Sequence, residues 1–200
     1  MHTPESFWKT ALGVATPHKA QMSRIVEQLQ NVFGDDNPAQ IRAAVDTVER
    51  FQGQERDVIV TSFGIGDADL IRAGDEFLFS LRRFNALASR ARAKLIVLAP
   101  KSLIEYLPNE AAVLSQAHLL KGYVQNYCNL VAALDLPCLD EDAPATRNGL
   151  LYQRHSVNPT AASNLARTTI TNKRLDKLLA LILPNRMKCL TTTIRKKQRN

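Results

Sequence analysis

The chain has 200 residues, of which 45% are hydrophobic and 22% are charged, a composition typical of globular proteins and unlike that of disordered chains. No apolar run approaches the roughly 20 residues of a membrane-spanning helix, and the N-terminus lacks the basic and apolar regions of a secretory signal. We therefore expect no membrane partner and a cytoplasmic or nuclear location. Three cysteines without paired spacing and four scattered histidines predict neither a disulfide framework nor a metal site.

The net charge of +7 is unevenly distributed along the chain. Residues 147–200 contain 12 Lys and Arg and a single acidic residue, Asp176, whereas residues 1–146 contain 14 basic and 18 acidic residues. The basic character therefore belongs to the C-terminal segment. The charge of the larger N-terminal region does not by itself indicate nucleic-acid binding.

Apolar strands alternate with helices through the first two thirds of the chain. Strands are predicted near 11–17, 44–48, 57–63 and 94–100, with helices at about 20–33, from Ser80 onward and from 101 to 128. The stretches "GDDNPAQ" and "GIGDADLIRAGDE" are predicted to form a turn and a loop. This alternation predicts an α/β fold, a parallel sheet flanked by helices on both faces.

The character of the sequence changes from Cys138 onward. We predict one domain over residues 1–137 and a poorly structured basic tail over 138–200, partly helical or disordered. Leucines at helical spacing predict an amphipathic helix at 172–183, stopped by Pro184.

The stretch "RRFNALASRARAKLIVLAP" (82–100) places four arginines directly before an apolar strand. A continuous helix would turn Leu87 and its apolar neighbours toward the sheet and place Arg83 and Arg90 on one stripe, with Arg92 on another beside Asn85. One interpretation is a solvated basic helix face. The other is a row of planar cations positioned for phosphate.

Two other stretches combine polar residues with strand ends. In "FQGQERD" (51–57), Gln52, Gly53 and Glu55 lie between two strands, at the kind of strand end where ligands of α/β sheets collect, although an ordinary polar turn has the same composition. In "GVATPHKAQ" (13–21), Thr16 is expected to cap the following helix, with Pro17 near its first turn.

Together and in this order, "GVATPHKAQ", "VDTVERFQGQERDVIVTSF" and "RRFNALASRARAKLIVLAP" closely resemble motifs IV, V and VI of superfamily 1B, Upf-like helicases. The resemblance covers about residues 11–100 and implies the second RecA-like domain of such a helicase. It implies that Arg90 is an arginine finger for the γ-phosphate and that Gln52, Gly53 and Glu55 form a nucleotide-sensing loop. Arg92 would belong to the same cofactor-binding group, orienting the finger or pairing within the domain.

The same resemblance implies a nucleic-acid track and further partners. Thr16, Pro17, Gln21 and Thr47 match positions expected to contact single-stranded DNA or RNA. ATP and Mg²⁺ would be held mainly by an N-terminal RecA-like P-loop domain, acting in cis or in trans.

Three features depart from a complete helicase. No glycine is followed by lysine, so the GxxxxGK[ST] phosphate loop is absent, and no apolar strand ends in an Asp-Glu pair. We therefore expect this chain alone not to hydrolyse ATP. Ser80 also occupies a position where the family commonly has an acid that could support an arginine. The alternatives are a truncated fragment, or a non-catalytic nucleic-acid-binding or regulatory relic whose basic tail grips phosphates.

Overall fold

A single sheet organises the molecule. The computed structural model describes residues 3–51, 54–140, 143–154 and 187–193, with side chains described in 3–51, 54–135 and 146–154. The strands are β1 (Leu12–Thr16), β2 (Val45–Thr47), β3 (Arg56–Ser62), β4 (Ala91–Pro100), β5 (Leu130–Asp140), β6 (Ala143–Arg154) and β7 (Met187–Thr193). Within the described ranges they form one seven-stranded sheet in the order β2-β1-β3-β4-β7-β6-β5.

The first four strands form a parallel sheet. Val14 pairs with Val45 across β1 and β2, and Val60 of β3 pairs with both Val14 and Ile96. β1 is buried along its whole length, and the last six residues of β4 are buried too. Strands covered on both faces read as continuous apolar runs, because neither set of side chains meets water. The predicted α/β RecA-like arrangement is confirmed.

Helices cover both faces of this sheet. They are α1 (Pro4–Ser6), α2 (Lys19–Val32), α3 (Pro38–Ala43), α4 (Ala68–Ala73), α5 (Asp75–Leu78), α6 (Leu81–Ala88), α7 (Lys101–Glu105) and α8 (Ala111–Gly122), with π-helical turns at Phe7–Ala11 and Tyr123–Tyr127. One core, on the α2 face, includes Trp8 and Leu29. The other, on the α6 face, includes Leu87 and Leu103.

Three local predictions were wrong. The stretch predicted as a loop contains α4 and the start of α5: the side chain of Asp67 accepts hydrogen bonds from two backbone amides of α4, and Ile71 is fully buried. The predicted turn "GDDNPAQ" ends inside α3, which Asn37 caps through its side chain. Thr16 does not cap α2, because the residue at the N-cap is His18. The short polar side chains of Asp67 and Asn37 therefore begin α4 and α3 in stretches whose glycines and aspartates had led to the prediction of a loop and a turn.

The sheet continues beyond the parallel strands. β7 pairs antiparallel with β4, β6 pairs parallel with β7, and β5 and β6 form an antiparallel pair. The predicted boundary between residues 137 and 138 lies within β5, and the division into two parts stays a prediction. The amphipathic helix predicted at 172–183 lies outside the described residues.

Candidate nucleotide and nucleic-acid edges of the sheet

The residues assigned to nucleotide binding lie at the amino edge of the sheet. Glu55 comes directly before β3 and Arg90 directly before β4, and these strands are parallel neighbours. The backbone amide of Arg56 donates to the carbonyl of Arg90 at 3.1 Å. Glu55 is exposed there, whereas Gln52 and Gly53 lie outside the described residues. The loop thus ends at the amino edge, opposite the carboxyl ends where ligands of open α/β sheets usually collect.

Arg90 occupies a turn. α6 ends at Ala88, and the backbone amide of Arg90 donates to the carbonyl of Leu87 at 3.1 Å. The predicted stripe shared by Arg83 and Arg90 on one continuous helix was therefore wrong. The Nε of Arg90 is buried and has no hydrogen-bond partner in the described part of the chain. A buried guanidinium donor without an acceptor is costly, which makes this side chain a strong candidate for an anion partner.

Arg92 has a carboxylate partner inside the domain. It lies on β4, not on a helix stripe with Asn85 as predicted. Its Nε is 3.3 Å from Oδ1 of Asp57 on the neighbouring strand, and both side chains are about two fifths exposed. Pairing within the domain is one of the two roles expected for Arg92. A contact with nucleotide stays a prediction.

Arg56 is a member of this edge that sequence reasoning did not identify. Its guanidinium donates to the carbonyl of Glu55 at 3.1 Å and to Oε1 of Gln54 at 2.8 Å, and lies 5.9 Å from the ring centre of Phe51. Burial, together with the nearby charge of Arg92, lowers the pKa of Arg56. The sequence did contain a signal for Arg56, namely an arginine at the first position of an apolar strand. At such a position the side chain is not expected to be fully solvated.

The residues assigned to nucleic acid lie at the opposite, carboxyl edge. Thr16 ends β1 and pairs with Thr47, which ends β2. Thr16 is fully buried, and its hydroxyl donates to Oε1 of Gln21. Gln21 Nε2 donates to the hydroxyl of Ser62 at 2.8 Å, and the backbone amide of Gly64 donates to Gln21 Oε1 at 3.2 Å. Gln21 therefore joins the ends of β1 and β3 through a partly buried network.

Thr47 and Pro17 lie beside this network. Thr47 is half-buried, and its carbonyl accepts from the amides of Arg50 and Phe51 at 3.1 and 3.3 Å, so it begins the turn toward the amino edge. Pro17 lines a small cavity together with Phe77. All four predicted nucleic-acid residues thus gather at one edge. Whether they contact a strand stays a prediction.

Arg83 is anchored to the carboxyl edge. Its Nε donates to Oε1 of Glu49 at 2.8 Å, and its guanidinium carbon lies 3.9 Å from the ring centre of Phe77, which also stacks on His18. Ser80 makes no side-chain capping bond at the start of α6. Glu49, from the turn after β2, is therefore the acidic partner of Arg83. Ser80 cannot fill that role, because it has no carboxylate.

The described residues provide two further findings about ligands and location. No group of three or more His, Cys, Asp or Glu side chains among them is arranged to hold a metal ion. In the same ranges, no helix combines the length and the apolar character that crossing a membrane requires.

Comparison with known proteins finds helicases among the relatives of this chain. The chain is 39% identical over 88 residues to the probable helicase senataxin of Homo sapiens, which covers 44% of this chain and 3% of senataxin. It is 35% identical over 99 residues to an uncharacterized ATP-dependent helicase of Methanocaldococcus jannaschii, covering 49% and 13%, and 33% identical over 97 residues to the ATP-dependent helicase NAM7 of Saccharomyces cerevisiae, covering 46% and 9%. The chain therefore spans only a small part of these relatives.

The fold and these similarities define a class: the chain is a C-terminal, second RecA-like region of the superfamily 1, Upf-like helicase type. Residues 2–102, about half of the chain, match the protein family described as AAA domain, and the chain belongs to that family.

Proposed function

We propose that this chain is the second RecA-like half of an ATP-dependent nucleic-acid helicase or translocase, and that Arg90 is its arginine finger. The observation that carries the proposal is the buried Nε of Arg90, which has no hydrogen-bond partner among the described residues and lies at the amino edge, beside the loop that ends at Glu55. Such a cation suits phosphate, because a guanidinium offers several donors in a planar fork and keeps its charge at all physiological pH values.

ATP and Mg²⁺ would be held mainly by a P-loop domain outside this chain, since no glycine here precedes a lysine. Two of the relatives are named ATP-dependent helicases, which supports the use of ATP by the complete protein. Arg90 would approach the terminal phosphate from the opposite side and stabilise the charge that develops there. Arginine fingers in related NTPases accelerate hydrolysis by roughly a thousandfold or more.

The loop at the amino edge would link nucleotide to the finger. Gln52, Gly53 and Glu55 are the proposed nucleotide-sensing residues, with Arg92 supporting the finger from β4. If nucleotide displaced this loop, the displacement would be transmitted directly to Arg90, because the 3.1 Å backbone hydrogen bond between Arg56 and Arg90 joins the two segments. This coupling needs only one hydrogen bond between adjacent strands.

The carboxyl edge would carry part of the track for single-stranded DNA or RNA. Thr16 and Gln21 form the internal network, so we assign them the role of holding the edge in shape. Thr47 is partly exposed at the end of β2, whereas Pro17 is buried, so Thr47 is the best placed of the four for a direct phosphate contact. Because nucleotide and nucleic acid would bind at opposite edges of the sheet, the loop from Thr47 to Glu55 would connect the two sites.

The test is hydrolysis in a protein in which this chain is joined to the P-loop domain of a Upf-like helicase. Arg90→Ala should lower kcat roughly a thousandfold while nucleotide binding changes little, because the P-loop domain holds most of the nucleotide. Arg82→Ala, an exposed neighbour on α6, is the matched control and should leave kcat unchanged. Unchanged turnover in Arg90→Ala would remove Arg90 from the finger role.

A non-catalytic nucleic-acid-binding protein is a second candidate. The observation in its favour is the concentration of 12 basic residues against one acidic residue in 147–200. Affinity for single strands that depends on this segment and survives without nucleotide would favour this alternative.

A further inference from the structure

Four arginines at the β3–β4 pair and on α6, with the exposed Arg82 set aside, divide into two groups according to their ionic partners. Arg83 forms an ion pair with Glu49, and Arg92 forms one with Asp57. Arg56 and Arg90 have no carboxylate within ion-pair distance among the residues that the structure describes. Each of these two also has a buried Nε that makes no hydrogen bond there. The two groups differ in partner, although all four residues are of the same type.

The two unpaired arginines are held together. Arg56 begins β3, in register with Ala91 of β4, and its amide donates to the carbonyl of Arg90. A Cβ added at Gly13 would meet both the Phe51 ring and the Arg56 side chain, and Phe51 belongs to the core on the α6 face. Arg56 therefore extends along the α6 face, the face from which the chain enters the turn at Arg90.

Within the part of the chain that the structure describes, the acceptors that orient the guanidinium of Arg56 are neutral. The Glu55 carbonyl and the Gln54 amide oxygen fix its two terminal nitrogens, at 3.1 and 2.8 Å, without cancelling its charge. Arg92 adds a second positive charge nearby. Partly buried cations that lack an anion are unfavourable, and an arriving polyphosphate would relieve that cost at both arginines.

We propose that Arg56 and Arg90 together form a two-arginine polyphosphate site, with Arg56 contacting the phosphate chain directly. This proposal rests on the proposed function, because it adds a second cation to the same nucleotide-facing edge. Arg92 would remain on Asp57 and would not contact the phosphates.

The test uses the 200-residue chain and inorganic tripolyphosphate, with affinity measured by isothermal titration calorimetry. Arg56→Gln and Arg90→Gln should each weaken binding roughly tenfold or more, since each removes a charge-assisted hydrogen bond. Arg72→Gln is the matched control, because Arg72 is exposed, pairs with Asp69 and lies in α4 outside this edge. Its affinity should change less than about twofold, as expected for a screened surface charge.

Three results would overturn the inference. Weakening by Arg90→Gln alone would remove Arg56 from the site and leave the finger proposal standing. Equal weakening by Arg72→Gln would show general charge attraction. No effect from either edge variant would remove the two-arginine site, and the turnover of Arg90→Ala in the joined protein would then decide the finger role separately.

A second measurement needs no substitution and covers the case in which Arg56→Gln destabilises the fold. In the unmodified chain, the Nε–Hε NMR signals of Arg56 and Arg90 should move on titration with tripolyphosphate and share one midpoint. The Arg72 signal should stay in place. Movement of Arg90 without Arg56 would overturn the proposal.

Discussion

The carboxylate of Glu49 lies 2.8 Å from Nε of Arg83, and the two residues are 34 positions apart in the sequence. Phe77 completes the contact, with its ring centre 3.9 Å from the guanidinium carbon. The pair ties the start of α6 to the turn that follows β2. Because this arginine has its anion within the domain, we expect its role to be structural, in contrast to the role proposed for Arg90.

Loss of this tie should cost stability and leave chemistry intact. Arg83→Gln should lower the free energy of unfolding by about 1 kcal/mol, because the ion pair is two fifths exposed and the contact with the Phe77 ring adds a comparable amount. Urea denaturation measures the change. In the joined protein, kcat for ATP hydrolysis should stay within about threefold of the unmodified value, and a large fall in kcat would assign Arg83 to the catalytic group instead.

The same pair predicts a pH dependence of stability. Partial burial opposes ionisation of Glu49, but a hydrogen bond with its own backbone and the contact with Arg83 outweigh it, so its pKa lies below the ordinary 4.5. The contribution should be fully present above that ordinary value and should be lost as pH falls through the lower pKa of the folded state. The difference in unfolding free energy between the unmodified chain and Glu49→Gln should therefore shrink below about pH 4. A difference that is constant with pH would contradict this assignment.

The sequence predicted the parallel sheet and the order of its motifs because apolar runs and turn residues are local signals. It misplaced Arg92 because helical spacing was extended across Ser89, where a turn ends α6 and a strand begins. It left Arg56 unassigned, because the consequence of an arginine at a strand start depends on what the neighbouring strand places beside it. The partners Glu49 and Asp57 were equally hidden, since pairing across 34 or 35 residues has no local pattern.

The network at the carboxyl edge makes a prediction about a glycine. A Cβ at Gly64 would lie 2.5 Å from Nε2 of Gln21, so Gly64→Ala must displace that amide and leave the buried hydroxyl of Thr16 without its acceptor. We expect a loss of about 1–3 kcal/mol in unfolding free energy, the usual cost of a buried polar group left unsatisfied. Gln21→Ala should cost a similar amount for the same reason.

The double variant provides the sharper test. With the Gln21 side chain already removed, Gly64→Ala has nothing to displace and should add little, so the two effects should be strongly non-additive. Gly66→Ala is the control, because its Cβ would make ordinary van der Waals contacts, 3.6 Å from Pro100 and 3.7 Å from Ser102. Additive costs would show that Gly64 is required for some other reason.

The last prediction separates the basic segment from the two edges of the sheet. β7 pairs with β4, so deletion of the whole segment would also disturb the sheet, and neutralising its final charges is the cleaner change. The four residues to replace with glutamine are Arg195, Lys196, Lys197 and Arg199. If they contact phosphates, the slope of log affinity for a single strand against log salt should become shallower by up to about 3, since each neutralised phosphate contributes about 0.7.

The control for this experiment carries the same change in charge at four exposed residues of the sheet region, namely Lys9, Arg24, Arg42 and Arg72. Its salt dependence should stay close to that of the unmodified chain, because these side chains lie on four different helical elements and belong neither to the basic segment nor to the residues assigned to the track. Equal slopes in all three proteins would remove the basic segment from nucleic-acid binding. The carboxyl edge at Thr47 would then be the remaining candidate for the track, and Thr47→Val should reduce affinity, at a cost in stability of about 1 kcal/mol because the Thr47 side chain is also hydrogen-bonded to Glu49.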